Sequence, residues 1–136
     1  LAVNYFYGGL DGAFWVMRRC DFSWYSGEDV LNLPLLSIGA VGMVTVAGHL
    51  AAARLRDMVD AYVTGEVDRA RQLHDSLLPV YAGIFRTQGA MTVKAALAQL
   101  AVIGSSVRPP LVDLSQEEFA RLTLDLADGG VAGFSA

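Results

Sequence analysis

The sequence predicts an α/β chain: a parallel sheet in its first part and helices to its end. Two observations carry that reading. Short β-branched or aromatic runs alternate with helical patterns as far as Val46, and helical patterns alone follow. From Val30 to Ala53 there is no Asp, Glu, Lys or Arg, as expected where a buried helix leads into a buried parallel strand. The 136 residues are 54% hydrophobic and 18% charged, a balance that packs rather than stays disordered. About three strands are expected. A closed eight-stranded α/β barrel takes roughly 250 residues, so a partial α/β unit over residues 1–50 and a helical part over 51–136 are expected.

Leu1-Ala2-Val3 reads as the end of a strand, punctuated by Gly8-Gly9. Ala13 to Arg19 reads as a short helix, and Phe22 to Tyr25 as a strand turning at Ser26-Gly27. Glu28-Asp29 stand at a helix start, where acidic residues suit the macrodipole. Leu31, Leu35 and Ile38 give that helix its apolar stripe, Gly39 ends it, and Met43 to Val46 reads as the next strand. Leu50, Leu55, Met58, Val59 and Tyr62 recur at helical spacing, with Gly65 as the C′ residue. A second long helix carries Val67, Ala70, Leu73, Leu77 and Leu78, and Pro79 predicts a kink or a restart. Val93 to Leu100 is an alanine-rich helix, and Gly104 to Pro110 a loop. Ser115 to Glu118 is a capping box opening a helix with Phe119, Leu122, Leu124 and Leu126, stopped by Gly129-Gly130. The tail to Ala136 is expected to be loose.

Composition excludes several classes of function. Net charge is −4 and the basic residues are scattered, which gives no nucleic-acid surface. A single cysteine, Cys20, excludes an internal disulfide and fits a reducing, cytoplasmic setting. No signal peptide is read, and Leu1 in place of Met suggests a fragment or a processed chain. The uncharged run is long enough to cross a bilayer. Asn32, Pro34, Ser37, Gly39, Gly42, Thr45, Gly48 and His49 interrupt it, so no membrane span is expected.

Individual residues mostly read as structural. Lys94 is the only lysine, and a structural role on a helix is expected for it over a Schiff base. Glu28 and Asp29 read as helix-start charge, because adjacent helical residues do not face each other. His49 and His74 lack partners at metal-ligand spacing, so no metal is expected. His49 is a candidate for the mouth of a site at the strand end. Tyr5, Phe6 and Tyr7 form an aromatic run able to stack a ligand, while Trp15 and Trp24 read as core anchors. Cys20 follows Arg18-Arg19, yet an unreactive thiol is expected. Gly8-Gly9 and Gly39 to Gly42 match no phosphate loop.

One ordered series is more specific. Tyr25-Ser26-Gly27-Glu28-Asp29, then Leu31-Asn32-Leu33-Pro34, then Gly39-Ala40-Val41-Gly42-Met43-Val44-Thr45-Val46 resembles the dihydrodipicolinate synthase family, actinobacterial members above all. The likeness continues through Pro79, Phe85-Arg86-Thr87-Gln88-Gly89, Val93 to Leu97 and Arg108-Pro109-Pro110-Leu111. The resemblance implies the C-terminal portion of a TIM barrel, strands six to eight, with a helical extension. It implies a class I aldolase that condenses pyruvate with aspartate semialdehyde in lysine biosynthesis. It implies no cofactor and a homo-oligomer, a tetramer in the family. The family's Schiff-base lysine ends strand six. Aligned on Trp15 and Gly27 without a gap, that position is Asn4, and an amide forms no imine. Asn4-Tyr5-Phe6-Tyr7 also departs from the family's lysine–acidic–small pattern. The threonine pair, tyrosine and arginine of the family site belong to its upstream part. The resemblance leaves Gly27 beside the substrate cavity and Val44 at a position whose main chain lines the pyruvate site. The chain alone is expected to be inactive, and a non-catalytic half-barrel that self-associates is the alternative.

Overall fold

The computed structural model describes residues 1–6 and 8–135. Its contacts divide into two units, Leu1–Thr45 with Arg54–His74, and Val46–Ala53 with Asp75–Ala136. The first holds a sheet. β1 (Ala2–Tyr5), β2 (Ser23–Ser26) and β3 (Gly42–Met43) are parallel, in the order β1-β2-β3. Parallel pairing needs a crossover between strands. Here the crossovers carry α1 (Leu10–Met17), and a 3-10 turn (Asp29–Leu31) followed by α2 (Asn32–Ser37).

Alternation along the strands sorts the two sheet faces. Val3, Tyr5 and Trp24 pack with Ala13, Leu35 and Ala40, on the side of the crossover helices. Asn4, Tyr25 and Gly42 lie at one register level and fall on the other face, where Asn4 is exposed. Trp24 is the core anchor the sequence predicts. Trp15 is not: it is 54% exposed, with the Arg18 and Arg19 guanidinium carbons 5.5 and 4.6 Å from its ring centroid. Its neighbours Phe14 and Val16 are exposed too, and Ala13 makes the buried contact of α1.

Element edges differ from the sequence reading where tertiary bonding takes over. Helix α1 begins at Leu10 rather than Ala13. The turn after β2 is 3-10, so the α-helix starts at Asn32 and not at Glu28-Asp29. Strand β3 stops at Met43, although Val44 to Val46 has strand propensity. The backbone N–H of Val44 still donates to the Ser26 carbonyl at 2.7 Å. From Val46 onward the bonds become helical, His49 N–H to the Val46 carbonyl (3.2 Å) and Leu50 N–H to the Ala47 carbonyl (3.0 Å). The uncharged run is thereby divided among the 3-10 turn, α2, β3 and the start of α3 (Gly48–Val63). Among the described residues no helix is long and apolar enough to cross a membrane.

Two long helices run through parts of both units. Helix α3 has a kink at Ala51 (φ −140°, ψ 30°) that no local signal announced. It ends near Gly65, whose φ of +85° is the left-handed value a C′ glycine supplies cheaply. Helix α4 (Val67–Ile84) continues past Pro79 as one helix, so the restart does not occur. A proline removes one N–H from the ladder, but Leu77 and Val80 on either side are fully buried and hold the segment by packing. Val67 and Leu78 lie off the buried stripe and are exposed.

The second unit is completed by α5 (Gly89–Gln99) and α6 (Gln116–Asp128). Leu77, Val80 and Ile84 on α4, Ala96 on α5, and Leu122 and Leu126 on α6 are essentially inaccessible. Their i, i+3, i+4 and i+7 spacings are those of amphipathic helices. Helix α5 begins at Gly89, four residues earlier than expected, because the Gln88 carbonyl accepts from the Met91 and Thr92 N–H groups. The segment between α5 and α6 contains a cis Pro109–Pro110 bond.

The capping box of α6 forms as predicted. The Ser115 hydroxyl accepts from the Glu118 N–H (3.2 Å), and the Glu118 carboxylate accepts from the Ser115 N–H (2.8 Å). That backbone bond, with the Ser115 side chain second, holds the Glu118 carboxyl below the usual glutamate range. A carboxyl depressed on folding stabilises fully above its unfolded pKa, about 4.3. The contribution is lost as pH falls through the lower folded value. Exchange of the Ser115 amide is therefore expected to accelerate, beyond the intrinsic pH trend, once pH falls below the usual glutamate range. The variant Ser115→Ala is expected to lose about 0.5–2 kcal/mol in urea unfolding.

Candidate functional site

The C-terminal ends of the three strands converge on Asn4, Gly27 and Val44. The Gly27 N–H donates to the Tyr5 carbonyl (2.8 Å) and the Val44 N–H to the Ser26 carbonyl (2.7 Å), so the ladder continues one residue past β2 and β3. The Asn4 side chain leans over Gly27: a Cβ built at Gly27 would lie 2.5 Å from Asn4 Oδ1 and 2.9 Å from Nδ2. The Tyr25 ring covers Gly42 in the same way, with its Cε1 3.0 Å from a Cβ placed there. Two glycines thus give the neighbouring side chains their room. Asn4 and Val44 are exposed and Gly27 half-buried. The arrangement offers an amide and strand-end main chain to a polar ligand. It offers no amine, so covalent catalysis through an imine has no nucleophile at residue 4.

Behind this edge lies a polar cluster that the sequence reading missed. Asp29 is 2% exposed, not a solvated helix-start charge. Its Oδ1 accepts from the Thr45 hydroxyl and from Asn32 Nδ2 (3.2 Å). Asn32 is fully buried, and its Oδ1 has no hydrogen-bond partner among the described residues. Ser26, also fully buried, donates its hydroxyl to the Glu28 carbonyl (3.1 Å) and accepts from the Glu28 N–H (3.4 Å), which shapes the turn after β2. No local pattern joins Asp29 to a threonine so far along the chain; only the fold does.

Tyr5 belongs to the helix-side core, and its hydroxyl donates to the Gly9 carbonyl (3.1 Å), so it does not present its ring on the Asn4 face. Phe6 is 64% exposed, and Tyr7 lies outside the described residues. The Lys94 ammonium on α5 donates to the Ser106 carbonyl. His49 is exposed at the start of α3, and His74 is buried on α4. Among the described residues no three of His, Cys, Asp and Glu gather as a metal site requires. Cys20 is half-buried, and its carbonyl accepts from Trp24 Nε1 (3.4 Å).

Comparison with known proteins decides the family. The profile of the dihydrodipicolinate synthetase family matches residues 15–128. The chain belongs to the dihydrodipicolinate synthetase family. A 4-hydroxy-tetrahydrodipicolinate synthase 2 of Streptomyces coelicolor is 52% identical over 124 residues, which is 91% of this chain and 42% of that protein. The 4-hydroxy-tetrahydrodipicolinate synthase of Acidothermus cellulolyticus is 46% identical over 99% of this chain and 44% of its own length. A solved 4-hydroxy-tetrahydrodipicolinate synthase from Methylacidiphilum fumariolicum superposes with a TM-score of 0.91 at 31% identity, covering 96% of this chain and 44% of that one. The chain therefore spans less than half the length of these dihydrodipicolinate synthetase relatives. Its three-stranded parallel sheet and helices fit a part of their barrel fold.

Proposed function

We propose that this chain carries the strand-end side of a pyruvate-aldolase site of the dihydrodipicolinate synthase kind, and that alone it is catalytically silent. Residues 1–50 are then the last barrel strands and their helices, and 51–136 the final barrel helix and the extension. The activity of the whole enzyme is condensation of pyruvate with aspartate semialdehyde, a lyase step of cytoplasmic lysine biosynthesis in a homo-oligomer. One observation supports the reading most: Asn4 stands exposed on the same sheet face as Gly27 and Val44, where the resemblance places the Schiff-base lysine and the pyruvate site. A lysine amine there would attack the ketone carbon and lose water, making an electron sink. An amide cannot.

The test is borohydride trapping of pyruvate, read by intact mass and peptide mapping. In this chain, no adduct is expected at residue 4 or Lys94; a mapped Lys94 adduct overturns the silent reading. A chimera joining the N-terminal part of the Streptomyces coelicolor relative to this chain is also expected to stay unmodified. Asn4→Lys in that chimera is expected to restore trapping at residue 4. A folded Asn4→Lys chimera that traps nothing sinks the aldolase-site reading. That outcome favours the second reading, a non-catalytic half-barrel that self-associates. The second reading draws on the exposed Asn4 face and on β1 and β3, each an edge of the described sheet.

A further inference from the structure

Strand β3 spans two residues, and its pairing with β2 is carried one residue further by the Val44 N–H on the Ser26 carbonyl. It leads directly into Val44, whose main chain belongs to the candidate site. A side-chain cluster adjoins that strand end. Three observations converge on one group. Asp29 is 2% exposed and sits in the turn that directly follows β2. Its Oδ1 accepts from the hydroxyl of Thr45, the residue after Val44. The same oxygen accepts from Asn32 Nδ2 (3.2 Å), and Asn32 is fully buried in the first turn of α2. A buried carboxylate is tolerated only where donors compensate its desolvation, and here the donors are the first turn of α2 and the residue that follows Val44.

We propose that Asp29 is a positioning residue: by holding the Thr45 hydroxyl and the Asn32 amide together, it fixes the Val44 main chain against the end of β2. The assignment rests on the reading of the strand ends as an oxo-acid site, because that reading gives the Val44 main chain a task. Asp29 itself touches no substrate in this scheme. Its effect passes through Thr45 to the peptide that precedes it. The Val44 N–H, bonded to the Ser26 carbonyl, reports the placement directly.

The experiment is residue-resolved amide exchange on the chain without pyruvate. The Gly27 amide, which donates to the Tyr5 carbonyl on the other side of β2, is the internal control. Thr45→Val is expected to speed Val44 exchange about tenfold or more, the scale of one lost hydrogen bond to a charged group, with Gly27 nearly unchanged. Thr45→Ser keeps the hydroxyl and is expected to retain protection. Asp29→Ala is expected to behave like Thr45→Val, and Asp29→Asn, which keeps an acceptor oxygen, to fall between. Equal loosening of Gly27 and Val44 overturns the proposal, because Asp29 is then a general fold stabiliser. Unchanged Val44 exchange in Thr45→Val overturns it as well. If Asp29→Ala fails to fold, the Thr45 pair decides alone. Exchange is read without ligand, so it fails or succeeds independently of pyruvate trapping.

Discussion

Replacing Leu126 by alanine is expected to lower the unfolding free energy by about 2–5 kcal/mol. Leu126 is fully buried on α6, one turn from the equally inaccessible Leu122. Removing its branched end takes apolar area out of the core and leaves a cavity that the helices close only in part. The control sits two residues away. Leu124 is 55% exposed on the same helix, and Leu124→Ala is expected to stay within about 0.5 kcal/mol. Both variants remove the same atoms from the same helix, so propensity cancels and burial alone differs. Urea unfolding checks the pair: the midpoint should drop sharply for Leu126→Ala with the slope unchanged. Similar losses in the two variants would mean that α6 buries a different face.

The second large effect reverses a general rule. Within a helix, glycine replaced by a better helix former usually stabilises, by up to about 1 kcal/mol for alanine. Gly83 on α4 is an exception because α6 lies against it. A Cβ there would sit 2.7 Å from Asp125 Cβ and 3.2 Å from its Oδ2. The Asp125 carboxylate in turn accepts Arg86 Nε (2.5 Å) and Nη2 (2.9 Å), so it has little freedom to swing away. Gly83→Val is expected to cost about 3 kcal/mol through overpacking. Gly104, with nothing within 4 Å of a built Cβ, is the matched control. Gly104→Ala is expected to be neutral or stabilising by a few tenths of a kcal/mol, because it restricts the unfolded chain. Thermal and urea unfolding of the two variants, measured side by side, decide the matter. A Gly83→Val protein as stable as the parent would show that α4 and α6 separate at no cost.

Features decided by a few neighbouring residues were legible in the sequence. The box at Ser115 and Glu118 and the C′ role of Gly65 depend on local backbone chemistry, and both form as read. The strand–helix alternation was legible because side-chain period differs between the two element types. Features decided at a distance were not. Val44 to Val46 has the residues of a strand, but helical bonds starting at Val46 end it early. Asp29 carries the same sequence signal whether it faces water or Thr45. Trp15 reads as core by size, yet its face of α1 is open among the described residues. The candidate site was named only through an ordered resemblance; the strand register puts Asn4 level with Tyr25 and Gly42, two residues before Gly27 and Val44.

The close approach of Asn4 to Gly27 ties the future of one position to the other. Asparagine at position 4 already fills the room that the missing Cβ leaves. A longer side chain there, lysine included, must pass through the same gap. Any side chain at residue 27 would therefore narrow what residue 4 can hold, and the side chain at residue 4 narrows residue 27 in turn. Substitutions at the two positions are therefore expected to be non-additive in stability.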